Sequence, residues 1–383
     1  MRYLYVKNGD AVEQVTRVLN SARDTDPHGP DAFISSFLNG TKGNEVCVLS
    51  RGSRNASYTS GILSAVTVNG GRSPAAKLFL RVWYALRLLI RIFVYRPDRI
   101  LCGSTGSQLF VCWAGARFRR IPVVHSRHNR LETDSVGLLA WMRRTLEIFL
   151  IRRVNAIVAH GPYLASQLIE HGANSSAVFE FEVSFPGDLP ERSASTAPRV
   201  LFIGRVESQK GVFDLLNACK ELLSRYPSLT VDYIGDGSAR LPLAETVAKL
   251  GLASRVRVLG PVPHDRVLTH IAAATVVVAP TRLEFPEGRC MVAMESLALG
   301  VPVIAPDFGP FPFLVSDQIN GLLFEPNSVT GLSDSIDRLL SDSDLLKKLQ
   351  DGAMSTAQQL RQPQTTFHAA LTNAFDFDGN GHD

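Results

Sequence analysis

The sequence predicts an α/β protein made of two doubly wound, Rossmann-like domains whose sheets face each other across a cleft. Three observations carry this expectation. Short apolar strands alternate with helical stretches almost from end to end, the pattern of parallel sheets covered by helices. The alternation fails between Phe179 and Pro198, where the run from Ser184 is rich in Pro, Ser and small residues and reads as a linker. The 383 residues, 45% of them apolar, hold about two domains at ~100–200 residues each. The expected division is 1–185 for the first domain, 186–198 for the linker, 199–361 for the second domain and 362–383 for a C-terminal segment and polar tail.

In the first domain, strands are expected at 2–7, 45–50, 99–102, 121–125 and 155–159, where apolar runs are short enough for buried strands. Helices near 31–39, 75–95, 136–153 and 161–171 separate them. After the linker, strands fall at 199–204, 229–234, 255–259, 275–279, 301–305 and 321–324. Helices fit 211–225, 240–251, 264–273, 288–299, 329–341 and 344–360. Ligands of open α/β sheets bind outside the strands' carboxyl ends, so the cleft is the expected active site.

Forty Lys and Arg against 36 Asp and Glu leave a net charge of +4. Residues 1–190 hold 23 cations against 14 anions, and residues 191–383 hold 17 against 22. The basic half suits an anionic membrane surface or an acidic substrate, and no nucleic-acid partner is expected. Five cysteines (Cys47, Cys102, Cys112, Cys219, Cys290) are widely spaced and mostly set in apolar runs. They read as buried thiols in a reducing compartment, without a disulfide frame or a zinc site. The chain reaches polar Lys7-Asn8-Gly9-Asp10 after four apolar residues, so no signal peptide is expected and a cytoplasmic location follows.

Residues 78–95 are long enough to span a bilayer, but three arginines within them make insertion costly. On a helix, Lys77, Arg81, Tyr84, Arg87, Arg91 and Tyr95 fall in one stripe. The expectation is a domain-packing helix with this basic stripe in solvent, or one that also rests the stripe on anionic lipid at the inner face of the plasma membrane.

Two segments carry chemistry. The strand at 199–204 ends in Gly204-Arg205-Val-Glu-Ser-Gln-Lys210-Gly211, directly before a helix. Two cations at a strand's carboxyl end, with glycines that let backbone approach, suit a diphosphate, although two ordinary cations on an exposed turn fit the same residues. The segment lacks the Gly-Lys-Ser/Thr triplet of a Walker loop. The second segment runs from Pro280 to Ala305 and contains Glu287-Gly288-Arg289-Cys290-Met291 and, further on, Glu295. A helix starting near Gly288 would offer free amides to phosphate, with Glu295 about two turns further on, so the two carboxylates could bracket one ligand. Alternatively Glu287 is a helix cap and Glu295 a solvated face residue.

The pair Glu287 and Glu295, flanked by Pro280 and by Ala298-Leu-Gly300-Val-Pro-Val-Ile-Ala305, resembles the nucleotide-sugar motif of the retaining GT-B glycosyltransferases of family four. Further pieces stand in the family's order: Gly204-Arg205 with Lys210-Gly211, Tyr233-Ile-Gly-Asp-Gly237, Val258-Leu-Gly260-Pro-Val262-Pro-His264 and Asp317-Gln-Ile-Asn-Gly321. In the first half, Lys42-Gly43-Asn44-Glu45-Val46 is similar to the family's approach to its second strand, and Val123-Val-His-Ser-Arg-His128-Asn129 to its histidine loop. The resemblance implies that Arg205 and Lys210 neutralise the donor's diphosphate, helped by the backbone amides of Gly288, Arg289, Cys290 and Met291. It implies that Glu295 holds the donor ribose, Glu287 the hydroxyls of the transferred sugar, and His128 a place near sugar and acceptor. The base would lie against the Gly260-Pro-Val262 turn. No cofactor or metal is implied, because Arg and Lys do the work of a divalent cation.

The chain departs from the family in three places. A loop from Asp24 through Gly29 to Asp31 replaces the glycine pair after the first strand, which blurs the N-terminal substrate contacts expected around Gly29. Gly309-Pro-Phe-Pro-Phe313 stands where Gly-Gly and then a Glu are common, and Cys290 where a small Gly is. Asp24-x-Asp26 and Asp342-x-Asp344 recur as acidic pairs, the second reading as a helix cap. His125, His128 and His160 lack a patterned carboxylate for zinc, and the tail from Asp376 matches only the first half of a calcium loop. The expected function is transfer of a sugar from a nucleotide-diphosphate donor to a glycan or lipid-linked acceptor in bacterial cell-surface polysaccharide or glycolipid assembly. A nucleotide-sugar 2-epimerase of the same architecture, or a catalytically silent sugar-nucleotide binder, are the alternatives.

Overall fold

The computed structural model describes residues 1–20, 30–70, 74–131, 137–183, 185, 189–192, 197–361 and 364–377. The chain forms two units, Met1–Val183 with Gln364–Asp383, and Ser184–Pro363.

The first unit runs β1 (Arg2–Asn8), α1 (Ala11–Asn20), α2 (Pro30–Gly40), β2 (Glu45–Gly52), β3 (Ala56–Ser60), β4 (Leu63–Asn69), α3 (Pro74–Tyr95) and β5 (Arg99–Cys102). It continues with α4 (Ser107–Arg119), β6 (Val123–Arg127), α5 (Leu138–Ile151), β7 (Ala156–His160), α6 (Pro162–Glu170) and β8 (Val178–Phe181). The strands form one sheet in the order β3-β4-β2-β1-β5-β6-β7-β8, parallel except for β3 against β4. The central strands are buried on both faces, which is why they stand out as unbroken apolar runs. The edges were not visible in the sequence. β3 is the polar run Ala-Ser-Tyr-Thr-Ser, largely exposed, joined to β4 through Gly61 and Ile62.

The second unit runs β9 (Arg199–Ile203), α7 (Val212–Arg225), β10 (Thr230–Ile234), α8 (Arg240–Lys249), β11 (Val256–Gly260), α9 (His264–Ala272) and β12 (Val276–Val278). It continues with α10 (Met291–Ala298), β13 (Val303–Pro306), β14 (Gly321–Phe324), α11 (Val329–Ser341) and α12 (Ser343–Arg361). Its six strands are all parallel in the order β11-β10-β9-β12-β13-β14, the doubly wound order of dinucleotide-binding folds. Phe185, the last residue of the expected first domain, and Leu189, from the expected linker, pack instead on this unit's core.

After α12 the chain returns to the first unit. The last helix, α13 (Phe367–Asp376), lies in the expected C-terminal segment, where no helix was predicted. Glu182 N donates to Thr365 O at 3.0 Å, and the Phe367 ring stands 5.0 Å from Phe181 and 5.1 Å from Phe33. Phe367, Ala370, Leu371 and Ala374 form its buried stripe.

The expected orientation of α3 is corrected. Tyr84 is buried and its hydroxyl donates to Leu49 O at 3.3 Å; with Leu88 and Ile92 it faces the sheet, and Arg91 and Tyr95 are half-buried beside them. The stripe read as solvated therefore turns inward, with Arg81 and Arg87 emerging at its margins. The opposite side, with Val82, Trp83, Leu86, Ile90, Phe93 and Val94, is the exposed one.

Candidate active site

In the second unit the strand order reverses at β9, with β10 on one side and β12 on the other. At such a switch point the loops beyond the two neighbouring strands part and leave a crevice. β9 and β12 pair in register, Val200 with Val276 and Leu201 with Val277, so the loops 204–211 and 279–290 emerge side by side.

These loops are locked together. Arg282 N donates to Gln209 O at 3.0 Å, and the Arg282 guanidinium reaches Asp214 at 3.1 Å. Gly211 has φ +72°, and a Cβ on it would stand 1.8 Å from Pro280 O, so only glycine permits this approach. The contact brings Lys210 to Glu287, whose carboxylate accepts from Lys210 Nζ. Both side chains are mostly withdrawn from solvent, at 15% and 10% exposure. The buried Phe285 ring lies beneath the cations, its centroid 4.1 Å from Lys210 Nζ and 4.9 Å from Arg205 Cζ. Its π face attracts both and gathers their charge on one patch. Arg205 stays 61% exposed, with Glu207 at 3.3 Å. Gly204, between β9 and Arg205, lies against Gly235 so closely that a Cβ on Gly235 would meet its carbonyl oxygen at 1.9 Å.

The second carboxylate lies deeper. Glu295 sits in the second turn of α10, buried, with His264 Nε2 3.9 Å from its Oε1. His264 opens α9 just after the Gly260-Pro-Val262-Pro turn, and Val262 packs on the cluster of Leu201, Ile234 and Ile271. The expected helix start at Gly288 is corrected to Met291. Pro286 and Gly288 are poor helix formers, and the chain is not yet helical at Cys290, which is extended at φ −85° and ψ 93°. The helix's unclaimed amides are therefore those of Cys290 to Ala293, and Glu295 stands one turn in rather than two. Glu287 is accordingly no cap, and Glu295 no solvated face residue. Arg289 is buried and donates from Nε to Met294 Sδ at 3.1 Å. Burial pushes the Cys290 thiol up to about 12, so it fills space between the two carboxylates rather than reacting. Sequence reasoning missed Phe285 and His264 as members of this site. Nothing in the spacing of an aromatic two residues before Glu287 says that its ring will carry two cations.

His128 belongs to the first unit, just beyond β6. Its Nε2 is 2.9 Å from Ser126 Oγ, and its ring is caged by Phe33 at 4.5 Å, Phe181 at 5.9 Å and Phe367 at 6.4 Å. Burial, reinforced by His125, Lys7 and Arg127, pulls its pKa down to about 4, so the imidazole is neutral at pH 7. Gly29, like Asp24-x-Asp26, lies outside the described residues. Asp342 caps α12, accepting from Leu345 N at 2.9 Å. Among the described residues no group of three His, Cys, Asp or Glu is placed to hold a metal ion.

Two doubly wound units, the second with gathered cations and buried carboxylates at its switch point, have the architecture of GT-B glycosyltransferases. Residues 39–178 match the family model Glycosyltransferase Family 4 and residues 190–355 match Glycosyl transferases group 1. The chain belongs to this family of glycosyltransferases. It is 30% identical over 258 residues to D-inositol 3-phosphate glycosyltransferase of Nocardia farcinica (strain IFM 10152), a match covering 60% of this chain and 56% of that protein. The chain thus spans less than two thirds of that relative's length. Sucrose-phosphate synthase from Thermosynechococcus elongatus shares the fold with a TM-score of 0.71 at 18% identity, covering 97% of both chains. Anabaena HepE, solved in complex with UDP, does so with a TM-score of 0.68 at 18% identity, covering 98% of this chain and 97% of its own.

Proposed function

We propose that the protein is a retaining, metal-independent glycosyltransferase that moves a sugar from a nucleoside-diphosphate donor to a glycan or lipid-linked acceptor, at the inner face of a bacterial plasma membrane in polysaccharide or glycolipid assembly. The observation that carries the reading is the gathering of Arg205 and Lys210 on the Phe285 face, against Glu287, at the switch point of the second sheet. Bond cleavage at the donor's anomeric carbon leaves negative charge on the diphosphate, and two fixed cations and the α10 amides stabilise that charge as it develops. Glu287 accepts hydrogen bonds from hydroxyls of the transferred sugar while it also holds Lys210 in place. Glu295 accepts from the donor ribose. Neutral His128 serves the sugar and the acceptor, which attacks from the face the leaving group departs. HepE's complex with UDP supports a nucleoside diphosphate, and the name of the Nocardia relative supports a phosphorylated polyol among the acceptors to be tried.

A melting screen against UDP, GDP, ADP, CMP and dTDP, with and without chelator, tests the donor site. One nucleoside diphosphate, in about hundredfold excess over its Kd, stabilises the protein by about 2.7 kcal/mol, and chelator leaves the shift unchanged. No shift with any diphosphate would overturn the donor site. A shift abolished by chelator would overturn metal independence. Once the donor is known, the anomeric configuration of the product, read by NMR, decides retention.

A further inference from the structure

The outward face of α3, α4 and α5 is more apolar than solvent tolerates. These helices lie side by side over one face of the first sheet, and all three contribute to its core. Of the 24 exposed large apolar side chains among the described residues, 13 lie on them. On α3 these include Trp83, Leu86, Ile90 and Val94, the last 74% exposed; on α4, Phe118 at 84%; on α5, Leu138, Leu139 and Trp141. The helices touch through side chains, Arg119 of α4 over Phe93 of α3 at 5.9 Å and Trp113 of α4 against Phe149 of α5 at 5.2 Å, so the patches form one surface. Contiguous apolar surface on this scale marks a docking face.

Its charge identifies the occupant. Within the three helices stand eight Lys and Arg and one acid, Glu147, which pairs with the buried Arg127 at 3.5 Å. Arg87 lies over Trp83 at 5.2 Å and Arg153 over Phe149 at 5.0 Å, so guanidinium groups ride on the aromatic rings of this face. At its margin, where β6 and β7 begin, a cavity of about 320 Å³ is lined by Trp113, Arg117, Arg120, Arg153 and Asn155. Apolar and aromatic side chains beside arginines suit the boundary between headgroups and acyl chains, and three arginines around a cavity suit a headgroup phosphate. A second copy of the chain fits poorly, because a self-complementary contact would set this basic face against itself. No helix among the described residues is long and apolar enough to cross a membrane.

We propose that the α3–α4–α5 face seats the protein on an anionic lipid surface, helices parallel to the bilayer plane, with a lipid phosphate in the arginine-lined cavity. This rests on the membrane setting of the function above and not on its transfer chemistry. Vesicle binding is measured without donor or acceptor, so its failure leaves the donor site untouched.

All three tryptophans of the chain, Trp83, Trp113 and Trp141, lie on these helices, so intrinsic fluorescence reports the face. The protein is expected to sediment with vesicles of phosphatidylcholine and phosphatidylglycerol and not with phosphatidylcholine alone. Its emission should shift to the blue and be quenched by brominated acyl chains. Replacing Arg87, Arg119 and Arg153 by Glu should weaken binding by at least about a hundredfold, at roughly fivefold for each cation near the surface. A second variant, Leu86→Gln with Leu139→Gln, keeps the charge and should abolish the quenching; circular dichroism melts verify that both variants fold. The proposal is overturned if the native protein ignores anionic vesicles, or if the variants bind as the native protein does. It is equally overturned if the tryptophan shift appears without lipid as a concentration-dependent dimer forms.

Discussion

The contact between Lys210 and Glu287 makes a prediction that stability measurements can check without substrate. Lys210→Met leaves the Glu287 carboxylate at 10% exposure without its cation, and Glu287→Gln leaves the Lys210 ammonium on Phe285 with a neutral acceptor. Removing one partner of a buried pair costs ~3–5 kcal/mol. Neither side chain here is wholly buried, so Lys210→Met should cost about 3 kcal/mol, the low end of that range. Glu287→Gln should cost about 1 kcal/mol, because the amide oxygen still accepts a hydrogen bond. The double variant has no orphaned charge and should lose well under their sum, giving a coupling of about 1–2 kcal/mol. The assay is urea unfolding followed by far-UV circular dichroism and by tryptophan fluorescence. Every tryptophan lies in the first unit, so the loss should appear in the dichroism while the fluorescence transition stays in place. Losses that add to within about 0.5 kcal/mol would show that the two groups do not act as a pair, and the electrostatic account of the site would fall.

Gly211→Ala should destabilise the second unit by about 3 kcal/mol, from left-handed strain and a clash with Pro280 O that only backbone movement relieves, and should weaken diphosphate binding as well. Gly251→Ala, at φ +69° with nothing within 4 Å, carries the strain alone, so about 1 kcal/mol is expected, and equal losses in the two melts would sink the loop-contact argument. His128 has a folded pKa of about 4 against an ordinary 6.5, so the unfolded chain binds the extra proton between those values and stability falls as pH drops from 6.5 toward 4. The loss approaches about 3 kcal/mol, and His128→Phe should flatten that part of the stability profile; an unchanged profile would mean that the ring is already solvated.

The parallel core of both sheets was legible, β4 apart, because strands buried on both faces must be apolar along their whole length, whereas β4 alternates buried and half-buried positions and was not predicted. The edges were not. β3 and β8 meet a neighbour on one side only, so their sequences need not be apolar, and the C-terminal helix is short, with a stripe that means nothing until Phe33 and Phe181 are known to lie opposite it. The site followed the same logic. Arg205, Lys210 and Glu287 stand in the loops beyond strand ends and Glu295 in the helix that follows; order and spacing marked them as candidates beside blander readings, and the family resemblance chose among those. Phe285, which joins the first three, acts through the direction of a ring and leaves no spacing behind.

Helix α3 is the instructive failure. A helix apolar on nearly all sides offers two faces for burial, and arginines do not decide between them, because their aliphatic stems can lie along a sheet while the guanidinium groups reach water at its rim. What decides is the other layer. Tyr84, Leu88 and Ile92 fit over Cys47, Leu49 and Ile100, and once that face is spent, Trp83, Leu86, Ile90 and Val94 are left exposed. Retaining such a face exposed carries a solubility penalty that a purely soluble enzyme has reason to remove by a few polar substitutions. Its coincidence with arginine-bearing rings on α3 and α5, and with a single acid within the three helices, argues that the face is kept for a surface with apolar depth and negative charge, which is what a lipid leaflet offers.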